Sequence, residues 1–152
     1  MSDYHHILVG VANSETDAHV VNVAKRFLHD DVILDIVNII DYPDELLHMN
    51  GEAGPIDNQN NVNEHCLEKS EQYLNHLIDE CGLKGHKNIC LHVKLGNPRS
   101  LLAHSLPEEF HSELIIIGRR EHFSFEDVLL GSTTKHVASK AICDTLIVNP
   151  KE

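Results

Sequence analysis

The sequence predicts an α/β protein in a single domain, residues 1–152: a doubly wound, five-stranded parallel sheet with helices on both faces, Rossmann-like or flavodoxin-like. Three observations lead there. Short apolar runs such as Ile7-Leu8-Val9-Gly10-Val11 and Leu114-Ile115-Ile116-Ile117 show no alternation, the mark of strands buried on both faces. The segments between such runs repeat their apolar residues at helical spacing. Glycine and proline punctuate the boundaries. Regular alternation of strand and helix requires crossovers, and crossovers cover both faces of a parallel sheet.

Each element has its own signal. After the first strand, Ser14-Glu15-Thr16-Asp17 matches a capping box, and Ala18, Val21, Ala24 and Leu28 form the apolar stripe of a first helix. Val32 to Ile40 reads as a second strand, closed by Asp41-Tyr42-Pro43. From Asp44 to Asn61 the chain carries Gly51, Gly54, Pro55 and several asparagines without a period, which predicts a mobile loop. Cys66, Ser70, Tyr73, Leu74, Leu77, Ile78 and Cys81 mark one face of a long helix that Gly82 ends. Asn88 to Lys94 reads as the third strand, and Gly96-Asn97-Pro98 starts a third helix with Asn97 as N-cap and Pro98 in its first turn. Pro107 is expected to break or kink that helix. Leu114 to Ile117 is the fourth strand, Ser132 to Ala141 the last helix and Thr145 to Val148 the last strand.

Composition narrows the function. With 24 acidic and 12 basic residues the formal charge is −12, which disfavours binding to nucleic acid or to an anionic membrane. The 13 histidines qualify this, because imidazoles ordinarily titrate near pH 6.5 and their protonation would offset the negative excess. Cys66, Cys81, Cys90 and Cys143 have no C-x-x-C spacing, and no secretory leader or membrane-length apolar run appears. A reducing, cytoplasmic setting with free thiols and no zinc site is expected.

In sheets of this kind ligands lie beyond the carboxyl ends of the strands, where the strand order reverses. The fourth strand runs into Gly118-Arg119-Arg120-Glu121, and after nine further residues Gly131-Ser132-Thr133-Thr134 opens a helix. A glycine behind a buried strand admits close approach of a ligand, and a helix N-terminus with free N–H groups suits phosphate. A strand, a loop and a capped helix also occur in most α/β proteins as ordinary structure.

These residues, with others, resemble the universal stress protein family over almost the whole chain. Ile7 to Glu15 resembles the family's opening strand and turn, Asn38-Ile39-Ile40-Asp41 the end of its second strand, and Gly96-Asn97-Pro98 its G-x-P turn. Gly118, Gly131 and Ser132 fit its signature G-x-x-G, nine residues, G-S/T; Cys143 to Val148 resembles its closing strand, with Asp144 in place of proline. The resemblance implies a site for ATP or AMP, with a divalent cation such as Mg2+, or no cofactor at all in a nucleotide-free member. It would be formed by Gly10, Val11 and Ala12, by Ile39 beside the adenine, by Gly118, Arg119, Arg120 and Glu121, and by Gly131, Ser132 and Thr133.

Two of these positions depart from the nucleotide-binding pattern. Ala12 stands where the family has an aspartate that contacts the nucleotide, and Glu121 replaces the second loop glycine. Loss of a buried charge-assisted acceptor weakens binding by about 1.5–3 kcal/mol. A carboxylate facing phosphate at about 4 Å adds roughly 1–4 kcal/mol of repulsion. Restoring Ala12→Asp and Glu121→Gly is therefore expected to strengthen ATP binding. The resemblance also implies a homodimer through the strand Thr145 to Val148 and an unidentified protein partner. Three readings follow: a nucleotide-binding stress protein, a nucleotide-free dimeric interaction protein, and an adenylate-forming enzyme. The last lacks a nucleophile elbow or a poised Cys–His pair, so at most slow, incidental ATP hydrolysis is expected.

Overall fold

The computed structural model of the chain describes residues 3–42, 57–119 and 131–150, the side chains of 57–63 excepted. Five strands alternate with four helical segments: β1 His6–Val11, α1 Asp17–Lys25, β2 Ile33–Asp41, α2 Asp57–Glu80, β3 Ile89–Gly96, a composite α3, β4 Leu114–Gly118, α4 Ser132–Lys140 and β5 Asp144–Val148. The segment α3 consists of Pro98–Ser100, a π-helical turn Leu101–Ser105, and Leu106–Phe110. All strand pairs are parallel, in the order β3-β2-β1-β4-β5, so the order reverses beside β1. The expected fold class is the observed one.

The absence of alternation in the strands has a direct cause. Ile7 and Val9 of β1 join Leu34 and Ile36 of β2 and Leu114 and Ile116 of β4 in one core. That core packs on Val20, Val21 and Ala24 of α1 and on Leu74, Leu77 and Ile78 of α2. The intervening residues Leu8, Val37, Ile115 and Ile117 face the other way, against Leu102 and Leu106 of α3 and Val137 of α4. Both parities are apolar because both faces are covered.

Two polar residues inside β2 are each satisfied. Asp35, 6% exposed, is bonded to His92 Nε2 at 2.8 Å. Asn38 donates through Nδ2 to Ser70 Oγ at 2.7 Å and to Asn13 Oδ1 at 3.0 Å. Buried polar groups without such partners are costly, so these bonds explain why a buried strand tolerates them.

The structure corrects one expectation and gives the form of another. Asp57 to Asn61, read as part of a loop, belong to α2, while the remainder of that segment, 44–56, lies outside the described residues. No glycine or proline occurs between Pro55 and Gly82, so nothing interrupts propagation of the helix in the N-terminal direction. Pro107 does not end α3, and the distortion expected at it takes the form of the π-helical turn Leu101–Ser105. The turn before it widens, with the Leu106 N–H bonded to the Leu101 carbonyl, and the Ala103 carbonyl that proline leaves free accepts the Ile142 N–H at 3.1 Å. Among the described residues no helix is long and apolar enough to cross a membrane. No group of three His, Cys, Asp or Glu side chains gathers there as a metal site.

Candidate functional site

A cavity of about 320 Å³ opens at the carboxyl ends of β1, β2 and β4, where the strand order reverses. β1 contributes Gly10 and Val11, followed by Ala12; β2 contributes Val37, Ile39 and Asp41; β4 contributes Ile117 and Gly118. Pro98 and Leu102 close it from α3, Thr133 and Thr134 from α4, and Asp17 from the start of α1.

Of the residues expected at a ligand site, Gly10, Val11, Ala12, Ile39, Gly118 and Thr133 are thus brought together. Gly131 is the N-cap of α4 and Ser132 its first, exposed residue, both adjoining the cavity without lining it. Arg119 follows β4, and its N–H donates to the Val148 carbonyl at 3.0 Å. Its Nε is buried and makes no hydrogen bond among the described residues. Arg120 and Glu121 lie outside the described residues.

Two glycines shape the cavity differently. A Cβ at Gly10 would meet Ile117 Cγ2 at 3.1 Å and Leu102 Cδ2 at 3.2 Å, both on the cavity wall, so a side chain here would crowd that wall. A Cβ at Gly118 would lie 2.9 Å from Val20 Cγ2, so this glycine is already required for α1 to seat on the sheet. Thr134 is buried, and its hydroxyl donates to the Gly118 carbonyl at 3.2 Å, joining the start of α4 to the end of β4. The N–H groups of the first turn of α4 have no partner within the helix, which makes that end of the cavity electropositive.

A further part of the lining is built around Asp17, which the sequence places in a capping box. It is 3% exposed. Its Oδ1 accepts the Ala12 N–H at 3.0 Å, while Oδ2 accepts the Ser14 N–H at 3.0 Å and the Tyr73 hydroxyl. The reach back to Ser14 is half of the expected capping box; the first residue before the helix is Thr16, without a side-chain cap. Asn13, between the two held amides, has φ 55°, a left-handed conformation that asparagine tolerates better than most residues. Burial pushes the Tyr73 phenol well up from its ordinary value, and the hydrogen bond to Asp17 adds to the shift, so the hydroxyl remains a donor. Asp17 and Asp41 are the ionisable side chains among the described lining residues.

The apolar stretch Val37, Ile39, Pro98 and Leu102 can receive a flat ring, and the first turn of α4 can receive an anion. Asp17, Val37, Asp41, Pro98, Leu102, Ile117 and Thr134 line the cavity without having been expected as site residues. Asp17, Asp41, Pro98 and Thr134 stand in motifs the sequence displays, whereas for Val37, Leu102 and Ile117 the signal is position in an element flanking the reversal.

Comparison with known proteins agrees with this fold. The model described as "Universal stress protein family" matches residues 3–149. A protein of Staphylococcus aureus (strain USA300) named as a universal stress protein is 27% identical, over 100% of this chain and 88% of its own length. Among solved structures, the universal stress protein UspA from Lactobacillus plantarum superposes with a TM-score of 0.69 at 18% identity, covering 97% of this chain and 99% of that one. A universal stress protein solved in complex with cAMP superposes with a TM-score of 0.63 at 21% identity, covering 97% and 98%.

Proposed function

Because this chain belongs to the universal stress protein family, we propose that it is a stress-response protein that binds an adenine nucleotide, ATP or AMP, in the cavity at the strand reversal. The observation that carries this reading is that Gly10, Val11, Ala12, Ile39, Gly118 and Thr133 converge on one wall system, with an apolar slot at one side and a helix N-terminus at the other. In this reading the adenine lies beside Ile39 and the phosphates lie toward α4. The structurally similar protein bound to cAMP supports a nucleotide as the ligand class. A cation such as Mg2+ would arrive with the phosphates. Calorimetric titration with ATP, AMP and cAMP, with magnesium and at fixed salt, tests the proposal. Saturable heat supports it; no heat at millimolar nucleotide with the protein folded overturns it.

A second reading, a nucleotide-free dimeric interaction protein, is favoured by one observation: packing against Val20 already accounts for Gly118. In either reading the protein is proposed to be a cytoplasmic homodimer paired through β5. That strand is a sheet edge, Ile142 just before it is 54% exposed, and a hollow beside it is lined by Tyr4, Phe27, Leu114 and Leu146. Edges of this kind are usually paired or covered. Light scattering at micromolar concentration should give twice the monomer mass; a monomer would count against the dimer.

A further inference from the structure

Position 12 carries no carboxylate, yet the turn it belongs to does. Asp17 lines the same cavity as Ala12, and its Oδ1 is 3.0 Å from the Ala12 nitrogen. We propose that Asp17 supplies the ligand-binding carboxylate that Ala12 lacks, accepting a ribose hydroxyl of the nucleotide, with Tyr73 as its positioning residue. This inference rests on the nucleotide-binding reading above.

The chemistry follows from counting acceptors. A carboxylate offers about four lone-pair sites. Among the described residues three are taken, by the Ala12 N–H, the Ser14 N–H and the Tyr73 hydroxyl. One remains, on the oxygen next to Ala12. A phosphate would be repelled there, whereas an uncharged hydroxyl donor is attracted. With the base in the slot past Ile39 and the phosphates at the first turn of α4, the ribose would lie between them in the cavity that Asp17 also lines. Tyr73 fixes the carboxylate from α2, and from the same helix Ser70 fixes the turn a second time through Asn38 and Asn13. The carboxylate is therefore held before any ligand arrives.

The proposal reverses the expectation for Ala12→Asp. With Asp17 already in place, a second carboxylate on the same turn repels the first and should weaken binding. Calorimetry with ATP, 2′-deoxy-ATP and 3′-deoxy-ATP tests this. Wild type should prefer ATP to at least one deoxy analogue by about tenfold or more. Asp17→Asn should lose that preference together with affinity, and the milder Tyr73→Phe should reduce both, with circular dichroism confirming that each variant is folded. Ala12→Asp alone should bind more weakly, whereas Ala12→Asp combined with Asp17→Asn should recover affinity and preference. A preference that survives in Asp17→Asn, equal affinity of wild type for all three ligands, or tighter binding by Ala12→Asp alone would overturn the assignment while leaving nucleotide binding intact. Absence of ATP binding by wild type would instead remove the nucleotide reading, and this inference with it.

Discussion

A methyl group added at Gly118 lands 2.9 Å from Val20 Cγ2, closer than side-chain carbons pack, so Gly118→Ala forces α1 off the sheet or Val20 out of its rotamer. Overpacking of this kind costs about 1–3 kcal/mol. Urea denaturation should show that loss, and Val20→Ala in the Gly118→Ala background should return part of it. The glycine was legible in the sequence as a special position, but the sequence offered a ligand as its reason and the neighbour on α1 was invisible. Asp17 is the converse case. Its spacing from Ser14 was read as a helix start, and only the turn of the chain at Asn13 brings its carboxylate back to Ala12. Cys143 supplies a test by pH. Burial, and then the Asp144 carboxylate, push its thiol up to about 11. Iodoacetamide should accordingly modify Cys143 slowly at about pH 8 and faster as the thiolate forms on approach to pH 11. Because the fold favours the protonated thiol, its contribution to stability is complete below the ordinary value of 9.0 and is lost as pH rises from there through about 11.

The helix starts show which local signals survive folding. Asn97 was expected to cap α3, and its Oδ1 accepts the Arg99 N–H at 2.9 Å with Pro98 in the first turn. Asn97→Ala should lower stability by about 0.5–2 kcal/mol, measured as a reduced urea midpoint with an unchanged denaturant slope. Cap chemistry is local, so the sequence displays it. The fate of Pro107 is not local. The carbonyl that proline orphans is satisfied by Ile142, from the connection between α4 and β5, and no pattern within α3 announces that partner. The start of α2 was missed for a different reason: asparagine-rich sequence looks like a loop by propensity, and propensity is a weak prior once a helix is already nucleated by a buried face such as Leu74, Leu77 and Ile78.

At the scale of the molecule, alternation and continuous apolar strands were enough to predict five parallel strands with both faces covered. They were not enough to give the order β3-β2-β1-β4-β5, which depends on which crossover runs to which side. That order has a consequence in time. β1, made before the other four strands of the sheet, is central; its six residues pair on one side with β2, and four of them, Ile7 to Gly10, pair on the other with β4, which is made only after three helical segments have emerged. Contacts so far apart in sequence are slow to form, since the intervening chain must close a large loop before pairing rewards it. A fragment ending before Leu114 should therefore lack cooperative unfolding by circular dichroism and should associate through the unpaired side of β1, whereas the full chain should not. Until β4 arrives, the growing polypeptide carries an open apolar edge at its centre, and it is during those seconds of synthesis, more than in the finished protein, that a chaperone would find something to hold.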